Sequence, residues 1–187
     1  MSTTTYTKRK RNSLTPSIRK TITSGVCLAL CLLLPFLTGQ IPQIGSALAP
    51  MHIPVLICGL VCGWPYGLLV GLLAPILRSL TFGMPPLFPT ATAMAFEMAA
   101  YGAFSGILYK LLPSKPIFLY TSLIGAMFLG RIVWGFATLF LLGINGQSFT
   151  FAAFLAGAFT NALPGIICHI LLIPPIVMGL KKARVTE

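Results

Sequence analysis

Six long apolar stretches follow one another along the chain, at about 21–38, 47–63, 65–80, 91–109, 116–143 and 150–180. A bilayer crossing takes roughly 17–25 residues, so each stretch fits one crossing, some of them kinked or tilted. The pattern predicts an all-α integral membrane protein, a six-transmembrane-helix bundle. Short breaks separate the stretches, at 39–46, at Gly63-Trp64-Pro65, and at 81–90, 110–115 and 144–149. The expected division is a basic tail at 1–20, a membrane domain at 21–180 and a second basic tail at 181–187. The second and third stretches are the least regular, because Pro50, Pro54 and Pro65 interrupt them. Irregular backbone is not tolerated against lipid, so residues 47–52 are expected to form a loop covered by protein.

Composition removes the soluble alternatives. Hydrophobic residues make up 56% of the 187 and charged residues 8%. A globule this small leaves about a third of its unfolded surface in water and needs charge to cover it. Lipid is therefore the solvent. The charge is also lopsided, with 13 Lys and Arg against two acids, Glu97 and Glu187. In a soluble chain this balance would suggest nucleic acid; here it reports topology. Lys8, Arg9, Lys10, Arg11, Arg19, Lys20, Lys110, Lys115, Lys181, Lys182 and Arg184 all fall on one side of the six-crossing scheme. The opposite breaks, at 39–46, 81–90 and 144–149, carry none. By the positive-inside rule both termini are expected to be cytoplasmic. A multi-pass protein of the plasma membrane is the expectation. The basic tail is expected to meet anionic lipid, with no nucleic acid as partner. A cleavable signal peptide ending near Ala47-Leu48-Ala49 is the rival reading of the first stretch, but its removal would break the charge pattern.

Little supports enzyme chemistry. The chain has no H-E-x-x-H, G-x-S-x-G, Walker loop or paired acids, so no catalytic residue, metal or cofactor is expected. Cys27/Cys31 and Cys58/Cys62 have helical spacing, yet no His or acid adjoins them to complete four ligands, and they read as small buried hydrophobes. His52 lies near the outer surface as a loop tether or ligand contact. His169, counted from the outer end of the sixth stretch, lies deep toward the cytoplasm and reads as packing.

Helices in lipid approach closely through small residues four apart, and the chain has many such pairs: Gly25/Ala29, Gly59/Gly63, Gly67/Gly71, Ala95/Ala99, Gly102/Gly106 and Ala153/Gly157. Most serve packing within the bundle. Gly25/Ala29 lies on the first helix, the one most easily presented to a partner.

A charged side chain at membrane depth costs about 3 kcal/mol or more and is a functional candidate by default. Three occur, Arg78, Glu97 and Arg131. At 1.5 Å per residue they lie about 5, 10 and 18 Å from the outer ends of their helices, with Asn161 as deep as Arg131. Tyr101 is one turn from Glu97, and Trp134 one turn from Arg131. Together these residues suit a small-molecule pocket open to the outside. The alternative is a Glu97–Arg131 pair that fixes packing, with Arg78 snorkelling to the headgroups. Two positive charges against one negative favour a ligand with a carboxylate or phosphate. The break Gly83-Met84-Pro85-Pro86-Leu87-Phe88-Pro89 is stiff and apolar, as a lid or a tight interfacial connection would be.

The chain also resembles a known family, the substrate-binding S components of energy-coupling-factor (ECF) vitamin transporters. The residues that carry the resemblance are the basic tail leading into Ser24-Gly25-Val26-Cys27-Leu28-Ala29, then Met51-His52-Ile53-Pro54-Val55-Leu56 followed by Gly59, Gly63 and Gly67, and Pro85-Pro86-Leu87-Phe88-Pro89-Thr90-Ala91 leading to Glu97. The resemblance implies a six-helix protein that binds a vitamin or related micronutrient on its outer side. It also implies docking onto a transmembrane coupling protein with two cytoplasmic ATPase subunits, which use the ATP. The family's Ala-x-x-x-Ala docking motif falls on Gly25 and Ala29, with Gly replacing the first Ala. Its ligand region points to Glu97, Tyr101, Arg131, Trp134 and Asn161, and the surplus positive charge to an acid such as pantothenate. A structural or assembly protein of the cell envelope, with no small ligand, is the competing expectation.

Overall fold

In lipid every backbone N–H and C=O must be satisfied within its own segment, so long apolar runs can only become helices. The computed structural model describes residues 16–37, 48–113, 115–144, 146, 149–160 and 162–183, and among these there is no strand. The helices are α1 (Pro16–Leu37), α2 (His52–Cys62), α3 (Trp64–Phe82), α4 (Thr92–Leu111), α5 (Pro116–Ile144), α6 (Phe151–Leu155) and α7 (Leu163–Lys182). Wide π-type turns at Leu87–Ala91 and Ala156–Thr160 lead into α4 and out of α6.

Among the described residues four stretches are long and apolar enough to cross a bilayer: Pro16–Leu37, Trp64–Phe82, Pro116–Ile144 and Phe151–Lys182. The second predicted crossing is shorter than its apolar stretch, because the helix starts only at His52. With 11 residues, α2 rises about 16 Å, roughly half the hydrocarbon thickness. Just before it Ala49 takes a positive φ of 45°, and Ala49 and Met51 are buried. The Ala49 carbonyl accepts from the His52 amide at 3.0 Å, and the Met51 carbonyl from the Cys31 thiol at 3.4 Å. The irregular backbone thus has its partners inside the protein, as lipid requires.

The centre of the bundle is α2, α3 and α4 packed backbone against backbone. A Cβ on Gly59 would collide with the Gly102 carbonyl and Ser105 Oγ, one on Gly71 with the Met98 carbonyl, and one on Gly102 with the Gly67 backbone. A Cβ on Gly106 would sit 2.7 Å from the Gly59 carbonyl oxygen. Dispersion between closely approached backbones is the main attraction available to helices in lipid, and these glycines make it possible. Gly63, paired with Gly59 by spacing, acts differently, since at φ 101° it makes the turn that folds α3 back on α2.

The contacts place the basic residues together. The Cys31–Met51 bond sets the C-terminal half of α1 beside the start of α2, so Arg19 and Lys20 lie at the opposite end, with the α2–α3 turn. Gly106 meets Trp64 at that turn, bringing the C-terminus of α4 there. Lys181 Nζ lies 3.6 Å from the centre of the Tyr109 ring, which adds the C-terminus of α7. Arg19, Lys20, Lys110, Lys115, Lys181 and Lys182 therefore share one end, and among the described residues only Arg78 and Arg131 are basic elsewhere. On the outer surface Ile22, Val26, Leu33, Leu69, Phe136 and Leu171 are all more than half exposed. An apolar surface this extensive is suited to lipid.

Candidate functional site

Glu97 and Tyr101 are four residues apart on α4 and so project from one face, toward α5. Gly130 is what lets α5 come close. A Cβ there would overlap the Tyr101 ring, which instead lies directly on the α5 backbone. The next residue, Arg131, then reaches across, and its Nη1 donates to Glu97 Oε1 at 2.8 Å. The Tyr101 hydroxyl donates to the same oxygen at 2.9 Å. Glu97 is 2% exposed and the Arg131 side chain 13%, so the pair is removed from bulk solvent. Ion pairing is the usual way such charges are tolerated at this depth.

His52, at the start of α2, closes one side of the cluster. Its ring meets Tyr101 edge to face at 5.2 Å, and its Nε2 stands 3.8 Å from Glu97 Oε1, beyond hydrogen-bond range. Both His52 nitrogens are buried without a hydrogen-bond partner, as are Arg131 Nε and Thr138 Oγ1. Buried polar atoms of native proteins nearly always find partners, so four in this part of the fold require an explanation. Among the described residues no group of three or more His, Cys, Asp or Glu is arranged to hold a metal.

His52 and His169, expected at different depths, come together. The His169 ring stacks on His52 at 6.1 Å, and its Nε2 donates to the Ala49 carbonyl at 3.3 Å. The two rings meet because His52 lies deeper than its place in the sequence suggests: α2 rises only about 16 Å from the basic end, which puts His52 near mid-depth. His169 is 13 residues before Lys182, about 20 Å from the same end.

Arg78 stands apart from the other predicted site residues. It is buried on α3 rather than snorkelling, and its Nη1 donates to the Leu32 carbonyl of α1 at 2.7 Å. Phe36 and Phe82 flank the guanidinium at 5.2 and 5.3 Å. Pro35 follows Leu32 by three residues, and a proline at that point disturbs the helical bonding of the preceding turn, leaving carbonyls open to such a donor.

Trp134 belongs to an aromatic group beside the ion pair. Its indole stacks with Phe154 at 6.3 Å and meets Phe149 edge to face at 5.9 Å. A Cβ on Gly157 would lie 2.7 Å from the indole, and one on Gly135 would overlap Phe154, so these two glycines admit the rings. Asn161 lies outside the described residues. Gly25 and Ala29 are exposed on α1, and a Cβ on Gly25 would meet nothing within 4 Å. Between α3 and α4 the proline-rich break turns at Leu87–Ala91, where the Ala91 amide bonds the Pro86 carbonyl at 2.9 Å; Met84, Leu87 and Phe88 are exposed.

Sequence reasoning missed Thr138, His169, Phe154 and the role of Gly130. Two signals were available: Gly130 directly precedes the only charged residue of α5, and Thr138 follows Arg131 by seven residues on the same helical face.

No curated protein and no solved structure matches the chain. A family description does: the model for "ECF transporter, substrate-specific component" matches residues 19–177, from α1 almost to the end of α7. That span contains both the exposed small-residue face of α1 and the buried Glu97–Arg131 cluster. This multi-pass, apolar helical chain belongs to the substrate-specific components of ECF transporters, which are transport-binding subunits rather than enzymes.

Proposed function

We propose that the protein captures a vitamin or related micronutrient on the outer face of the plasma membrane and hands it on for ATP-driven uptake. In this reading the chain crosses the bilayer six times, with both termini cytoplasmic. What supports that topology is the gathering of the described basic residues, apart from Arg78 and Arg131, at one end, together with the positive-inside rule. The observation that carries the binding reading is the cluster at Glu97, Tyr101, Arg131 and His52. It is polar, placed among apolar helices, and still has unused hydrogen-bonding atoms. Trp134 supplies an apolar wall beside it, and Asn161 is a further candidate from the sequence.

Energy comes from partners. The proposed docking face is Gly25 and Ala29 on α1, where the small side chains leave room for the helix of a transmembrane coupling protein. Two cytoplasmic ATPase subunits attached to that protein use the ATP, and this chain holds no cofactor of its own. Arg78 has a supporting part, since it holds the end of α1 against α3.

The test is mass spectrometry of small molecules released by denaturing the purified protein. The reading expects one compound at close to one per chain. A protein that releases nothing and binds no compound from the growth medium would contradict it.

A further inference from the structure

Resting on that binding reading, we infer that the ligand is an uncharged molecule rich in hydrogen-bond acceptors, rather than a carboxylate or a cation. Fixed charge is scarce away from the basic end. The sequence stretches 39–46, 81–90 and 144–149 contain no Lys, Arg, Asp or Glu. Within the helices the fixed charges away from that end are Arg78, Glu97 and Arg131. The surplus positive charge that favours an acid such as pantothenate includes Arg78, and Arg78 is engaged by the Leu32 carbonyl and two aromatic rings on another side of the fold. What remains is one carboxylate and one guanidinium in direct contact, a pair of zero net charge.

An ion entering such a site adds a charge that the pair does not balance. An anion on the free Nε of Arg131 would stand beside Glu97, and a cation on Glu97 would face Arg131. An uncompensated buried charge is the most costly outcome for such a site. A neutral ligand avoids this and can use the atoms that lack partners.

Those atoms define its chemistry. Arg131 Nε can only donate, the His52 ring brings two nitrogens of which at least one donates, and the Thr138 hydroxyl can do both. Three helical threonines, Thr21, Thr81 and Thr121, bond back to carbonyls of the preceding turn, at 3.0, 2.8 and 3.1 Å, whereas Thr138 Oγ1 is buried and makes no such bond. Arg131, Trp134 and Thr138 lie on one face of α5 across about 10 Å. The matching ligand carries an acceptor near Arg131, a flat or apolar middle along Trp134 and a polar group at Thr138.

The experiment identifies the molecule released from the full-length protein and then measures its binding to the stripped protein and its variants. We expect a compound with no net charge at pH 7. For it, Thr138→Val should weaken binding about three- to tenfold, the size of one lost hydrogen bond. Glu97→Gln should also weaken it, because Arg131 loses the counter-charge that holds it in place. An anionic ligand gives the opposite sign, since Glu97→Gln frees Arg131 and tightens binding. Where Glu97→Gln folds poorly, Glu97→Gln with Arg131→Gln carries the test: the neutral pair retains more binding of an uncharged ligand than Arg131→Gln alone. A released carboxylate, phosphate or amine, or tighter binding in Glu97→Gln, overturns this inference and leaves the binding reading standing. Release of nothing, with no binding from the medium, overturns both.

Discussion

Replacing Glu97 by Gln changes almost nothing in volume and leaves an oxygen that can still accept from Arg131 and Tyr101. Only the counter-charge disappears. Arg131 cannot relieve the loss by giving up a proton, since a guanidinium stays charged in proteins. Its side chain is 13% exposed, so water does little to replace the carboxylate. Removing one member of a buried pair costs about 3–5 kcal/mol. The retained neutral hydrogen bonds and the residual exposure place this case near the lower figure, about 3 kcal/mol. At about 2–4 °C per kcal/mol for a chain of this size, the midpoint of thermal unfolding should fall by roughly 6–12 °C. The assay is thermal unfolding in lipid nanodiscs, for the wild type, Glu97→Gln, Arg131→Met and the double variant. Because the two residues touch, the double variant should be more stable than the sum of the single losses by about 2 kcal/mol. Single variants within about 0.5 kcal/mol of wild type, or strictly additive losses, would refute the claim that the pair is buried and mutually neutralising.

Three other perturbations bear on separate features of the protein. Gly25→Leu should abolish uptake in cells that supply the coupling partners while ligand affinity stays within about twofold, since a Cβ there touches nothing in this chain; normal uptake would remove Gly25 from the docking face. Gly102→Val forces a side chain into the Gly67 backbone, where neither helix can yield, and should cost at least about 3 kcal/mol, read as loss of monodisperse protein and a lower unfolding midpoint. Arg78→Gln removes a charged donor from the Leu32 carbonyl, worth about 1.5–3 kcal/mol, and should raise hydrogen exchange across α1 without altering ligand affinity. A binding loss equal to that of Arg131 variants would return Arg78 to the site.

Much of this was legible in the sequence because lipid restricts what a chain can do. Apolar runs marked the helices to within a few residues for α3, α4 and α5, and helical spacing alone put Tyr101 beside Glu97. The glycine pairs at 67/71 and 102/106 were readable as close helix contacts for the same reason. Depth was harder, because it accumulates along a helix only while the helix is continuous. Ala49, with its positive φ, delays the start of α2 to His52, so His52 sits near mid-depth and meets His169, which a count of residues places far from it. Arg78 escapes a sequence reading for a different reason: its partner is a backbone carbonyl near Pro35, and carbonyls carry no sequence signature. The coming together of α4 and α5 likewise depends on Gly130 fitting the face of a tyrosine ring, a match of shape between residues distant in the chain.

Whether Arg131 serves a ligand or only the bundle is decided by a calorimetric titration of the stripped wild type and of Arg131→Met with the compound the protein releases. If Arg131 and its neighbours form the nutrient site, the variant should remain folded in lipid, with wild-type helical content by circular dichroism, yet bind at least about a hundredfold more weakly, the loss of one charged hydrogen bond together with the pairing that orients Glu97. Affinity within about threefold of wild type would show instead that the ion pair holds the helices together and takes no part in binding.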